Sequence, residues 1–325
     1  MAGVKPAIHA AIMKPQMLTG IAFGVAAGAL WGLVFLVPNL TPGFSAIEVS
    51  LARYLAYGAI ALLLAAPRWR SLAARLTRAD WLSLAWLGLA GNIVYYVFLT
   101  VAVRLAGSAP AAFIVGLLPV AITIIGSRED GAVPLETLTP SLLLAVIGVG
   151  LIAAASTKTA AGDWRDQAIG MACAFGSLAS WTLFAVGNQR HIARLPHVTS
   201  NEWSLLLGIV TGVESLLLAV PVFALAGESR ATSDWTQLAA VSTATAVLAS
   251  IMGNALWNSA SRRLPMTMTG QMVIFETLFA MVYSFLWDRH WPTAMELAAI
   301  MALIGAVSWC AAHHGKPHAA EQIGD

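Results

Sequence analysis

Long uninterrupted apolar runs, each about 20 residues and separated by short polar or proline-containing joints, follow one another through almost the whole chain. A run of that length crosses the hydrocarbon core of a bilayer as one helix, because in lipid every backbone N–H and C=O must find its partner within the segment. The alternating segments of about ten residues that mark a membrane β-barrel do not occur. Charged residues make up 10% of the chain and hydrophobic ones 58%, against about 25% charged in soluble domains, so a water-soluble fold of this size could not cover itself.

The spacing predicts an all-α integral membrane protein with about ten transmembrane helices. They run from Met17 to Pro38, Phe44 to Ala66, Ala79 to Arg104, Gly107 to Ser127, Thr139 to Ser156, Gln167 to Arg190, Val198 to Ala226, Trp235 to Arg262, Leu264 to Trp287 and Pro292 to Ala312. The first run is too long for a signal-peptide core of about 7–15 residues and ends without a small-residue cleavage site, so it reads as helix one, with the mature chain starting near Met1.

Orientation follows from the basic residues, since Lys and Arg are retained in cytoplasmic loops. With the N-terminus inside, Lys5, Lys14, Arg68, Arg70, Arg75, Arg78, Arg128, Arg190, Arg194, Arg262, Arg263 and Lys316 fall on the inner side, and Arg104, Lys158, Arg165, Arg230 and Arg289 on the outer. Both termini are expected in the cytoplasm of a bacterial cell, with the body of the chain in the inner membrane. The net charge of +2 reflects this topology and carries no signal for nucleic acid. Cys173 and Cys310 lie inside spans without metal-ligand spacing and read as small apolar packing residues.

Aligned against itself, the chain divides into two units of five spans, 17–157 and 167–312, flanked by tails 1–16 and 313–325. Gly20, Ala22, Trp31 and Leu33 in helix one recur at a constant offset as Gly170, Ala172, Trp181 and Leu183 in helix six. Glu48, Ser50, Leu51 and Pro67 recur as Glu202, Ser204, Leu205 and Pro221, and Asp80 and Trp81 recur as Asp234 and Trp235. Five is odd, so the second unit must enter the membrane from the opposite side. Inverted repeats of this kind build transporters whose site lies at the repeat interface near the midplane.

Ten spans in two five-helix halves with both ends inside resemble the drug/metabolite transporter superfamily, in the branch with paired EamA-type repeats. The resemblance covers roughly Met17 to Ala312 and is carried by the small-residue entry to helix four ending at Pro119 (SAPAAFIVGLLPV) and by the stretch from Leu256 to Phe279. Trp257 and Asn258 followed by Phe275 are similar to the aromatic amino-acid exporters of the YddG type; where many members repeat the helix-four proline in the second unit, this chain has Glu276 and Thr277. The resemblance implies a central cavity lined by helices one, three, four, six, eight and nine, and no cofactor.

Metal-ligand spacings, nucleophile elbows and phosphate-cradling glycine loops are absent, so no catalytic or metal residues are assigned and the chain is not expected to be an enzyme. Gly20, Gly24, Gly28 and Gly32 share one face of helix one, which lets a neighbouring backbone approach closely. A charge at the centre of a membrane helix costs at least about 2.5–3.5 kcal/mol, so each one is a functional candidate. By depth these are Arg53, Glu214 and Glu276. Glu276 shares its face with Thr269, Met272, Val273, Phe279 and Tyr283, a mixture suited to a wet, apolar-walled cavity, and either contacts substrate or proton or hydrogen-bonds a neighbouring helix. Glu214 has an aliphatic face and is either protonated or paired, with Arg53 as one conceivable partner; it is a second candidate for proton coupling. Glu48 and Glu202 lie near span ends, where headgroups would solvate them.

Trp81, Trp235 and Trp291 open spans beside polar residues and read as interfacial anchors, whereas Trp31 and Trp181 either pack in the core or line a cavity. Helix three adds Asn92, Tyr95, Tyr96 and Phe98, and helix eight adds Asn254, Trp257 and Asn258. The amides either bond between helices or hold the zwitterionic end of an amino acid, with rings against its side chain. Phe113 and Gln271 are further candidates on the helices that the resemblance implicates. His313, His314 and His318 beside Lys316 read as a solvated tail. The expected function is export of amino acids, aromatic or large apolar ones among them, and related small metabolites by alternating access. A multidrug or other metabolite exporter of the same superfamily is the alternative, with a membrane enzyme or scaffold outside that class. The partners expected are the substrate and the lipid bilayer; monomer and weak dimer both stay open.

Overall fold

In the computed structural model, which describes residues 5–155, 163–225 and 230–314, the regular structure is helical. In chain order it runs α1 (Pro15–Leu40), α2 (Ala46–Ala74), α3 (Arg78–Ala106), the shorter α4 (Pro110–Gly126), α5 (Leu135–Ala155), α6 (Trp164–Ala193), α7 (Ser200–Ala224), α8 (Thr232–Ser261), α9 (Met266–Asp288) and α10 (Ala294–His314). Among the described residues nine of these are long and apolar enough to cross a membrane, one fewer than expected. The exception is α4, which is shorter than the other spans over its described residues 110–126 and is also broken in its middle. A first piece, Ser108–Val115, ends at Gly116 and Leu117, and a second, Leu118–Gly126, restarts with Pro119 in its first turn, where a missing N–H does no harm. Helix α9 is likewise built of two pieces, Met266–Met272 and Ile274–Asp288.

The helix leading into α1 begins at Lys5, inside the segment expected as a tail, and α10 continues through His314. His314 is not a solvated tail residue, because the last turn of α10 packs on the start of α9 and brings its Nε2 to 2.7 Å from Thr267 Oγ1. Lys158, Lys316 and His318 lie outside the described residues. Reciprocal side-chain caps start α2 (Ser45 and Glu48), α3 (Thr77 and Asp80), α7 (Thr199 and Glu202) and α10 (Thr293 and Glu296), satisfying first-turn N–H groups that lipid could not.

Helix α2 lies along α7 and α5 along α10, while α1 packs on α8 and α9 as α6 packs on α3 and α4. Exchanging α1–α5 for α6–α10 maps this set of pairs onto itself. The α2–α7 crossing is close because Gly58 faces Gly212: a Cβ on Gly58 would lie 2.6 Å from the Gly212 Cα. The glycine face of α1 sits on α9, with Gly24 against Met272, Gly28 against Phe275 and Gly32 against Phe279.

Two ion pairs flank the α2–α7 crossing at opposite ends, one to Arg230 just before α8 and one to Glu202 of α7. Glu48, at the start of α2, receives Arg230 at 2.7 and 3.2 Å, and Glu202, at the start of α7, receives Arg75 at 3.4 Å. Headgroups therefore do not solvate Glu48. It is 3% exposed, and its arginine lies 4.3 Å over the Phe44 ring.

Helices α3 and α8 each contain a π-helical stretch, Leu89–Val94 and Ala246–Gly253. The wider turn frees main-chain carbonyls, and neighbouring helices supply donors for them. Ser180 Oγ donates to Ala90 O at 2.7 Å and Ser177 Oγ to Tyr95 O at 3.1 Å; Trp31 Nε1 donates to Ala249 O at 3.0 Å and Ser204 Oγ to Ile251 O at 3.3 Å.

Candidate functional site

The chemistry-bearing residues gather where the broken helices meet the π stretches. Trp31 of α1, Trp181 of α6 and Trp257 of α8 form a ring cluster with centroids 5.3 to 6.2 Å apart, and Phe184 joins it at 5.8 Å from Trp181. Trp257 is 2% exposed, yet its Nε1 and the Nδ2 of neighbouring Asn258 are buried without a hydrogen-bond partner. Asn258 Oδ1 accepts from Asn188 Nδ2 at 2.8 Å, and Asn188 Oδ1 accepts from Trp203 Nε1 at 2.8 Å. Sequence reasoning missed Asn188, which stands beside Gln189 and Arg190 and so passes for the polar end of α6.

A second group lies next to the first. Arg53 of α2 donates through Nε to Ser250 Oγ in the α8 π stretch at 2.9 Å and stands 5.4 Å from the Tyr54 ring centre. Trp31 bonds the adjacent residue, Ala249, so the tryptophan cluster and Arg53 share one turn of α8. Glu276 falls in the first turn of the second piece of α9, where the helix dipole favours a negative charge, and packs at Gly28, one turn before Trp31. It forms no ion pair with Arg53. Arg53 and Tyr54 are the members of this group that sequence reasoning did not assign to the cavity.

The other candidates spread outward. Asn92 and Tyr96 line, with Ser50 and Tyr54, a cleft of about 80 Å³ between α2, α3 and α7, room for water molecules but not for a metabolite. Asn92 Nδ2 donates to Thr211 Oγ1 at 3.1 Å, and Asn254 Nδ2 donates to Tyr57 Oη at 3.4 Å. Gln271 is fully buried, donating to Thr123 Oγ1 at 3.2 Å and keeping an unpartnered Oε1. Phe98 lies apart, 36% exposed with its ring on Gly176, and Phe113 packs with Cys173 and Leu178 as well as against the main core. Glu214 is not paired with Arg53. Both of its carboxyl oxygens are buried without a hydrogen-bond partner, beside Gly88 and Thr211.

Helices α4 and α9 pack closely at one end. Thr123 Oγ1 donates to Thr267 O at 3.2 Å, and a Cβ on Gly126 would lie 2.8 Å from Thr267 N. The opposite pieces, Ser108–Val115 and Ile274–Asp288, do not pack on each other in this way among the described residues. The gap is therefore a wedge, closed toward the end that carries Arg190 and Arg262.

No family model matches the chain. Over 322 residues, 93% of this chain and 98% of the relative, it is 32% identical to the inner membrane protein YtfF of Escherichia coli K12. A protein of known crystal structure shares the fold, with a TM-score of 0.69 over 89% of this chain and 95% of its own, at 19% identity.

Proposed function

Because the chain belongs to the family of the inner membrane protein YtfF and is itself a multi-pass membrane protein, we propose that it is a transporter of the drug/metabolite transporter superfamily. It exports amino acids, large apolar and aromatic ones among them, by alternating access. The observation that carries this reading is the placement of a basic and an acidic side chain beside the tryptophan cluster: Arg53 bonds Ser250 next to the Trp31 bond to Ala249, and Glu276 packs at Gly28 one turn before Trp31. A zwitterion fits that arrangement. Its carboxylate takes Arg53, its ammonium takes Glu276, and its side chain lies against the rings.

The interchangeable helix pairs, the paired π stretches and the paired clasps support ten helices arranged as two inverted five-helix repeats, with both termini in the cytoplasm. In that orientation the wedge is closed toward the cytoplasm and open outward. Glu276 and Glu214 are the carboxyls through which protons would couple to the cycle.

Purified protein in liposomes tests the reading, with counterflow of a panel of labelled amino acids as the readout. Aromatic amino acids should move, and Arg53→Gln and Glu276→Gln should each slow them at least about tenfold, the equivalent of one charge-assisted contact of about 1.4 kcal/mol. If no amino acid moves, the substrate is another metabolite or a drug. Wild-type rates in both variants would reject the site.

A further inference from the structure

Beyond the closed contact of α4 with α9, at the arginine-rich end of the wedge, lies a cavity of about 580 Å³. Its polar lining comes from Glu129 after α4, Gln189, Arg190 and Arg194 at the end of α6, and Arg262 between α8 and α9. Leu264, Pro265 and Met266 supply an apolar wall. Among the described residues its positive charge is only partly compensated: Arg190 is offset by Glu129 at 3.2 Å, but Arg194 and Arg262 have no acidic partner there. Arg262 gives Nη2 to the Leu195 and Val198 carbonyls at 3.3 and 2.7 Å, and its Nε is buried without a hydrogen-bond partner. Burial and the neighbouring Arg263 guanidinium push Arg262 below the usual arginine range, as expected of a site short of negative charge.

Gln189, by contrast, commits both amide hydrogens, donating to Ser261 O at 3.0 Å and Leu264 O at 2.9 Å. It ties α6 to the turn between α8 and α9, and the next residue inward, Asn188, bonds Asn258 beside Trp257. The cavity thus sits directly outside the polar edge of the tryptophan cluster, separated from it by these side-chain bonds.

We propose that this cavity is a capture site for one carboxylate or phosphate-type anion on Arg194 and Arg262, and that during transport it receives the carboxylate of the substrate before α4 and α9 part. The transport half of this inference rests on the exporter reading above; the anion site does not. Arg194 offers a guanidinium fork that matches a carboxylate or phosphate, Arg262 adds its Nη1 because Nη2 is held by two carbonyls, and the volume falls within the range of about 300–1,000 Å³ usual for small-molecule pockets. A phospholipid headgroup offers the same anion chemistry from the bilayer.

Arginine footprinting with phenylglyoxal, read by mass spectrometry on the full chain in nanodiscs, separates these sources. In phosphatidylcholine discs, phenylalanine and inorganic phosphate should each slow modification of Arg194 and Arg262 at least about threefold, as occupancy of a site by simple mass action requires. Phenylalanine amide should not, and exposed Arg68 and Arg70 should be protected by neither. Equal slowing at Arg68, or no slowing anywhere, overturns the site. Protection seen only in discs containing phosphatidylglycerol assigns it to lipid and overturns capture of a solute. In oriented liposomes, Arg194→Gln should raise the KM for phenylalanine from the arginine-rich face about tenfold, with kcat from that face little changed. An unchanged KM with protection intact overturns the transport role alone. If the wild type moves no amino acid, the exporter reading fails while the footprint still decides the anion site.

Discussion

Glu48 and Glu214 are both carboxylates within membrane-length helices, yet their surroundings are opposite. Glu48 receives a bidentate arginine and caps its own helix, whereas Glu214 lies beside Gly88 and Thr211 and has no hydrogen bond to lose. Glu48→Gln should therefore cost about 2 kcal/mol or more and lower the thermal unfolding midpoint in detergent by several degrees, because a buried guanidinium keeps its desolvation cost while its counter-charge is gone. Glu214→Gln should leave that midpoint unchanged or raise it, since an unpartnered carboxyl contributes nothing to the fold. If Glu214 couples protons, the same variant loses the stimulation of transport by a pH gradient; stimulation that survives the substitution excludes it. The depth of these groups is legible in the sequence, because the apolar run around each one measures it. Their partners are not. Arg53 selects Ser250, and Glu48 selects Arg230, across distances in the chain that no local pattern encodes.

At the scale of helices, close approach depends on where a missing side chain faces backbone. A Cβ on Gly58 would meet the Gly212 Cα at 2.6 Å, where neither helix can give without moving as a whole. A Cβ on Gly150 would meet only the Phe113 ring, at an ordinary 3.5 Å. Gly58→Ala and Gly212→Ala should each destabilise by about 1–3 kcal/mol, with the double variant costing less than their sum because the first substitution already parts the helices. Gly150→Ala should be neutral or stabilising by up to about 1 kcal/mol, since alanine loses less backbone freedom in a helix. Unfolding midpoints of the four variants decide the matter, and equal losses at Gly58 and Gly150 would refute the tight crossing. The glycine face of α1 can be read from its four-residue spacing. The π stretches cannot, because Leu89–Val94 and Ala246–Gly253 differ from their flanks in hydrogen-bond register rather than composition. The break in α4 is half-legible: Pro119 announces a helix start, but the run around it is apolar throughout and reads as one span.

For the whole molecule, the asymmetry of α4 and α9 is what an alternating-access cycle has to reverse. Shared Glu, Trp, Pro and Asp positions point to a repeat in sequence, and the helix pairs exchange in the matching way, but which end of α4 packs on α9 depends on packing that the sequence pattern does not encode. If the closed end must open for substrate to pass, fixing it shut should stop transport without harming the fold. A Cβ on Gly126 would lie 3.0 Å from the Met266 Cβ, close to the separation of about 3.5–4.5 Å that a disulfide spans, so a small relaxation admits one. With Cys173 and Cys310 replaced by alanine, the pair Gly126→Cys and Met266→Cys should cross-link on mild oxidation, shown by a mass loss of two hydrogens, and counterflow should fall to background. Reductant should restore it, and each single variant should be indifferent to oxidant. In the proposed cycle the two ion pairs that flank the α2–α7 crossing, Glu48 with Arg230 and Glu202 with Arg75, should stay intact while α4 and α9 part. Full transport by the cross-linked protein would show that α4 and α9 do not part there, and the wedge would then be a fixed channel mouth rather than one state of a cycle.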